Sequence, residues 1–85
     1  MAKFELVFKK SVSNDLRPIP NDDVARIMAK IYSLGDDPKP VGSIKLAGSE
    51  SYRIRQGNYR IVYEIEDKKL IVVIVKVGSR KDVYR

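Results

Sequence analysis

The residues of this sequence best suited to chemistry are arginines that share one predicted β-hairpin. Residues 52–63 form two alternating runs of aromatic, β-branched and charged side chains around a central Gly-Asn pair, which is typical of a hairpin with a two-residue turn. A turn of that length fixes the register of the two strands. It places Arg55 opposite Arg60, with Arg53 diagonal to Arg60 on the same face.

Three arginines on one face of a short hairpin favour a binding role. Like charges directly opposite each other destabilise a strand pair by a few tenths of a kcal/mol to roughly 1 kcal/mol, a conflict that folding alone does not require. The guanidinium group presents a rigid fork of donors that matches phosphate and carboxylate. The alternative interpretation is a solvated face whose arginines serve solubility.

Composition and charge limit the classes of function. The 85 residues predict a single domain, 1–85, and the net charge of +6, from 17 basic and 11 acidic side chains, favours a nucleic acid or a strongly acidic protein as partner. The sequence contains no cysteine and no histidine. It therefore excludes disulfides, thiolate metal sites and imidazole acid–base catalysis, and we predict no metal and no cofactor.

Neither the first residues nor the apolar run of the sequence predicts a membrane protein. The first five residues carry a charge at every second position, unlike a signal peptide, and the apolar run at 70–75 is far too short to span a bilayer. We predict no membrane association and a cytoplasmic location.

The elements that position the hairpin follow from periodicity. A strand is predicted at 4–9, a short helix at 11–16 capped by Ser11, and a longer helix capped by Asn21. Residues 70–77 are apolar on both faces, which predicts a central strand covered on both sides. The order β-α-α-β-β-β, with a possible edge strand at 43–46, predicts an α+β fold: a small, twisted, mostly antiparallel sheet with two N-terminal helices on one face.

This architecture leaves the arginine side of the sheet open and brings the end of the last strand near the hairpin. A tyrosine at the end of the last strand would offer a stacking surface for a base or a phenol for proton transfer. The predicted phosphodiester pocket consists of Arg53, Arg55, Arg60, Arg80 and Tyr84. Lys81 and Arg85 are predicted to add to an RNA affinity that rests on phosphate contacts and falls with salt.

Over essentially its whole length the sequence resembles the RelE toxins of the RelE/ParE superfamily. The resemblance is carried by Tyr-Arg-Ile-Arg-x-Gly-x-Tyr-Arg-Ile-Val-Tyr at 52–63 and by Gly-x-Arg-x-x-x-Tyr at 78–84. It implies the toxin of a type II toxin–antitoxin system, which cuts messenger RNA in the A site of the 70S ribosome and is held inactive by a cognate antitoxin protein. The implied reaction is attack of a ribose 2′-hydroxyl on the adjacent phosphate, leaving a 2′,3′-cyclic phosphate and a 5′-hydroxyl.

The resemblance also implies roles for individual residues. The family's basic pair falls on Arg53 and Arg55, its hairpin arginine on Arg60, and its tail residues on Arg80 and Tyr84. RelE itself has lysines at the first two positions, whereas guanidinium stays protonated, with a pKa above about 12. We therefore assign the four arginines to phosphate binding and charge stabilisation. Tyr84 is the candidate for proton transfer, and a ribosomal RNA group is the alternative.

Two other functions stay open at this point. One is a non-enzymatic, ParE-like inhibitor of DNA gyrase with the same fold, in which Arg80 and Tyr84 would have no required role. The other is an inactive module that binds RNA or an antitoxin. An antitoxin is expected to cover the arginine side of the sheet or to displace the tail.

Overall fold

The computed structural model describes residues 3–79, which form one mixed α+β unit. Its elements are β1 Glu5–Phe8, α1 Ser11–Leu16, α2 Asn21–Ser33, β2 Ile44–Lys45, β3 Ser51–Gln56, β4 Tyr59–Glu66, a 3₁₀ helix at Asp67–Lys69, and β5 Ile71–Ser79. The predicted element order is confirmed, and the predicted edge strand is present as β2.

The five strands form one sheet in the order β1-β5-β4-β3-β2. β1 runs parallel to β5, whereas every other neighbouring pair is antiparallel. Parallel strands need a long connection, and the two helices and the strands that follow them provide it between β1 and β5. The prediction of a mostly antiparallel sheet with β5 in its interior is confirmed.

The core lies between α2 and the face of the sheet that the helices cover. Ile27, Ile31 and Leu34, spaced along one stripe of the helical segment, are all 0 % exposed. They belong to a cluster with Val12 of α1 and with the inward residues of the last three strands, namely Ile54, Ile61, Tyr63, Val72, Ile74 and Val77. The alternation along the strands thus determines which face the helices cover, and the arginines lie on the other.

Both predicted helix caps are wrong by one residue. Ser11 and Asn21 are the first helical residues, and neither helix has a side-chain hydrogen bond at its N-cap. Pro20 takes the N-cap position of α2 with φ −56° and ψ 145°, an extended conformation that proline adopts readily. The side chain of Asn21 is therefore not needed as the cap of α2.

The far face of β5 is less covered than predicted. Val72, Ile74 and Val77 are buried on the helix side, whereas Ile71 and Val73 are partly exposed on the opposite side. The helices contribute to the core on one face of the sheet, and the far face of β5 is half-buried rather than fully covered. An apolar run on an interior strand can also result from packing against its neighbours within the sheet.

Candidate anion-binding site

The hairpin has the register that its turn length predicts. Arg55 lies opposite Arg60, and Arg53 lies opposite Val62. Gly57 in the turn has φ +60°, a backbone conformation that residues other than glycine rarely adopt. The three arginines therefore share the sheet face that points away from the helices, and we call this surface the arginine face.

The three arginines differ in exposure, which the sequence did not predict. Arg55 is exposed, Arg53 is half-buried, and Arg60 is only 4 % exposed. Arginine is rarely buried to this extent unless its charge is partnered, and both Arg53 and Arg60 interact with neighbouring groups. The face opposite the helices is open at Arg55, whose side chain is exposed, whereas Arg60 lies within the protein surface.

A fourth cation, Lys76, lies on the arginine face and was not predicted from the sequence. Its partner in the β4–β5 ladder is Val62, so Arg53, Val62 and Lys76 form one row across three strands. Lys76 is exposed, and it makes no ion pair with any carboxylate of residues 3–79. The available signal was its position as the only charged residue within 70–77.

An irregularity in the β4–β5 ladder explains why Lys76 points to this face. Val62 pairs with Lys76 while Tyr63 pairs with Ile74, so Val75 is an extra residue in β5. Side chains alternate between faces, and an extra residue shifts that alternation by one. Without the bulge Val75 would occupy the arginine face in place of Lys76.

The end of β5 approaches the turn of the hairpin. Ser79, the last described residue, pairs with Tyr59, the first residue of β4. The predicted site residues Arg80, Lys81, Tyr84 and Arg85 lie outside the described residues. Their assignment to the site therefore stays a prediction.

Two carboxylates fix the elements around this end of the sheet. Asp15 of α1 accepts a hydrogen bond from the backbone N–H of Val77 at 3.1 Å, beyond the point where β1 ends. Asp23 in the first turn of α2 accepts one from the Tyr59 hydroxyl, also at 3.1 Å. Desolvation and the bond to Asp23 both raise the pKa of Tyr59, and this bond joins β4 to α2.

A cleft of about 400 Å³ with a mixed polar and apolar lining lies beside these contacts, between α1 and the end of β5. Asp15, Ile19, Tyr59, Lys76 and Ser79 are among its lining residues. It opens next to the point where the chain leaves the sheet. Within residues 3–79 we find no group of three or more histidine, cysteine, aspartate or glutamate residues that could hold a metal ion.

No helix in the described part of the chain is long and apolar enough to cross a membrane.

Comparison with known proteins identifies the family of this chain. Residues 6–84 match the family described as the ParE toxin of type II toxin–antitoxin systems, parDE. The toxin RelG of Mycobacterium tuberculosis is 35% identical, with 92% of each chain covered. The putative toxin RelE1 of Methanocaldococcus jannaschii is 30% identical over 98% of this chain and 97% of that protein.

The fold is also similar to that of solved RelE structures. In the archaeal RelE–RelB complex from Pyrococcus horikoshii OT3, a chain 27% identical to this one superposes with a TM-score of 0.83, covering 96% of this chain and 99% of that one. The sheet order, the hairpin and the family match point to the same conclusion. The chain belongs to the ParE toxin family of type II toxin–antitoxin systems, as a RelE-type toxin of the RelE/ParE superfamily.

Proposed function

We propose that this toxin is a ribosome-dependent endoribonuclease that cuts messenger RNA in the ribosomal A site and so inhibits translation. The observation that carries the proposal is the placement of Arg53, Arg55 and Arg60 on one sheet face, in the register that the hairpin signature implies. A ribosomal substrate would place the protein in the cytoplasm. The net charge of +6 supports a polyanionic substrate.

The reaction needs two proton transfers and one stabilised charge. The ribose 2′-oxygen loses its proton and bonds to the adjacent phosphorus, while the bond from phosphorus to the 5′-oxygen breaks and that oxygen gains a proton. The products are a 2′,3′-cyclic phosphate and a 5′-hydroxyl. Guanidinium groups remain charged throughout, so the arginines would stabilise the pentacovalent phosphate rather than move protons.

The difference in exposure suggests that the three arginines have different roles. Arg55 is exposed and can meet the RNA backbone directly, whereas Arg60 is 4 % exposed and would touch a phosphate only after the groups that cover it move aside. Arg53 is intermediate. Arg80 is proposed to complete the phosphate site, and Tyr84 is proposed to transfer a proton, with a group of ribosomal RNA as the alternative.

A cognate antitoxin is proposed as the second partner. A RelE-type chain of similar fold was solved as a complex with RelB from Pyrococcus horikoshii OT3, and a further one as the RelBE2 complex of Mycobacterium tuberculosis. By analogy, an acidic or amphipathic segment would neutralise this toxin by covering the arginine face or by displacing the Tyr84 tail.

Primer extension on a defined messenger in a reconstituted translation system tests the proposed activity. The wild type is compared with Arg55→Ala, Arg80→Ala and Tyr84→Phe, with and without ribosomes. Cuts at A-site codons that need ribosomes and weaken in all three variants are expected. Lys68→Ala, which removes an exposed lysine in the 3₁₀ helix, is the control for loss of one positive charge.

Each other outcome has a definite meaning. Cuts that persist unchanged in the three variants would keep the nuclease and overturn the proposed site. No cuts in the presence of ribosomes would overturn the nuclease.

The family model gives a second candidate function, because its description is that of a ParE toxin. In that case the chain would inhibit DNA gyrase without cutting RNA, and Arg80→Ala and Tyr84→Phe would have no effect. A gyrase supercoiling assay run beside the primer extension separates the two functions.

A further inference from the structure

We propose that Lys76 is a further RNA-binding residue, which holds a backbone phosphate on the β5 side of the arginine face. This inference rests on the proposed cleavage of RNA. Neither the hairpin signature nor the tail motif includes this position. It is the bulge at Val75 that turns Lys76 toward the arginines.

The geometry places Lys76 within reach of the same RNA strand as Arg53. Their Cα atoms lie on either side of Val62 and are separated by two strand spacings, roughly 10 Å. Val62 is only 9 % exposed, so the side chains around it cover most of its surface. Long cationic side chains extend their alkyl stems over apolar surface and present their charges to water.

The described residues give Lys76 no charged partner. Lysine is depleted in strands, and this one lies among apolar neighbours just past Ile74, where β1 ends and β5 becomes an edge of the described sheet. It is exposed, and no carboxylate of residues 3–79 forms an ion pair with it. It also adds positive charge to a face where Arg55 already lies opposite Arg60, which raises the repulsion that folding must overcome.

The type of residue indicates what Lys76 would contact. A guanidinium can bind two phosphate oxygens at once and fix their orientation, whereas an ammonium is a compact charge that tolerates several geometries. We therefore place the reacting phosphate among the arginines and a neighbouring phosphate at Lys76. In this arrangement Lys76 positions the strand, and the arginines act on the scissile bond.

The test uses Lys76→Met, which keeps the length of the side chain and removes its charge, and Lys76→Arg, which keeps the charge. Lys68→Met is the matched control, because Lys68 is an exposed lysine at the opposite end of the β4–β5 pair. Two quantities are measured: the affinity for a short single-stranded RNA over a range of salt concentrations, and ribosome-dependent cleavage. Thermal unfolding establishes that all variants are folded.

Lys76→Met should weaken RNA binding roughly tenfold, the loss expected for one charge-assisted hydrogen bond. The slope of log affinity against log salt should become shallower by about 0.7, which corresponds to one phosphate contact on a single strand. Cleavage should fall in parallel, and Lys76→Arg should retain most of both properties. A merely structural lysine would not change the salt slope.

The remaining outcomes distinguish the inference from the proposal on which it rests. If the wild type cuts messenger RNA and Lys76→Met behaves like Lys68→Met, the inference about Lys76 is wrong and the nuclease stands. If Lys76→Arg is as impaired as Lys76→Met, a role in charge-based phosphate binding is excluded. If the wild type neither binds nor cuts RNA, both the inference and the proposed function fail.

Discussion

Arg55 and Arg60 lie directly opposite each other in β3 and β4, yet the first is exposed and the second is 4 % exposed. Two cations in such a pair repel each other, and burial of one of them weakens the screening between them. The pair lies one position from the turn of the hairpin. Arg60 also interacts with other groups, so the protein accommodates its charge at this position.

The first prediction concerns this pair. Arg55→Gln should raise the free energy of unfolding by a few tenths of a kcal/mol to about 1 kcal/mol at low ionic strength, because it removes the like-charge contact. The gain should shrink as salt is added, since salt screens the repulsion. Urea unfolding at two salt concentrations measures both effects. The same variant should lose most of its ribosome-dependent cleavage.

Removal of any cation from a chain of net charge +6 relieves some general repulsion, so a control is needed. Lys68→Gln removes one positive charge just past the end of β4 that is opposite to Arg60. If it stabilises the protein as much as Arg55→Gln does, the effect belongs to net charge and the pairwise explanation is wrong.

The second prediction concerns Tyr63, which is 0 % exposed and donates a hydrogen bond from its hydroxyl to the carbonyl oxygen of Pro38 at 2.7 Å. Tyr63→Phe should lower the free energy of unfolding by about 1–2 kcal/mol near neutral pH, because the Pro38 carbonyl loses its partner. Chemical denaturation measures the loss. Ribosome-dependent cleavage should persist, since this ring lies on the helix side of the sheet.

The effect of Tyr63→Phe should depend on pH. Burial raises the pKa of Tyr63 to about 12, from the usual value of 10. The unfolded phenol therefore loses its proton before the folded one does, and the stability that this group contributes is full below pH 10 and is lost as the pH rises through 12. The difference between wild type and Tyr63→Phe should narrow over that interval.

Tyr32, which is 61 % exposed, supplies the matched control. Tyr32→Phe should change the free energy of unfolding by less than about 0.5 kcal/mol and leave its alkaline dependence unaltered. An alkaline transition that is the same in the wild type and in Tyr63→Phe would contradict the assignment to Tyr63.

The third prediction concerns two glycines, because alanine at either position should destabilise the protein, but for different physical reasons. A Cβ atom at Gly35 would lie 3.2 Å from the Phe4 carbonyl oxygen and 3.3 Å from that of Tyr32, whereas Gly42 has open space but a φ of +97°. Gly35→Ala should cost about 1–3 kcal/mol through overpacking. Gly42→Ala should cost roughly 1–2 kcal/mol through backbone strain.

Hydrogen exchange separates these two mechanisms. The Phe4 amide donates to the Gly35 carbonyl oxygen at 2.8 Å, so displacement of this contact should speed exchange at Phe4 in Gly35→Ala. Gly42→Ala should leave that amide protected. Equal protection of Phe4 in both variants would show that the packing around Gly35 adapts without cost.

The hairpin and the arginine face show how far sequence reasoning reaches. The register of residues 51–64 follows from a two-residue turn and strict alternation, both of which are local, and it was predicted correctly at Arg55 and Arg60. The burial of Arg60 could not be predicted, because it depends on which groups pack around the side chain in three dimensions. Lys76 was missed for a related reason: the bulge at Val75 reverses the alternation, and no glycine or proline marks it.

The last prediction concerns Asp15, whose carboxylate accepts the hydrogen bond from the backbone N–H of Val77 at 3.1 Å. β1 ends at Phe8, opposite Ile74, and among residues 3–79 no strand continues past it to pair with this N–H, so the side chain from α1 takes that role. Asp15→Ala should lower the free energy of unfolding by about 1–3 kcal/mol. Asp15→Asn keeps an acceptor oxygen and should lose less.

In Asp15→Ala, RNA cleavage should decrease together with the local stability of β5. Val77 immediately precedes Gly78, which pairs with Arg60, so loosening of this segment should disturb the arginine face and the start of the tail. We expect faster hydrogen exchange at Val77 and reduced cleavage in Asp15→Ala, both partly restored in Asp15→Asn. Glu50→Ala, at an exposed loop position, is the control for loss of a carboxylate. Fast exchange at Val77 with unimpaired cleavage would show that the site does not depend on this end of the strand.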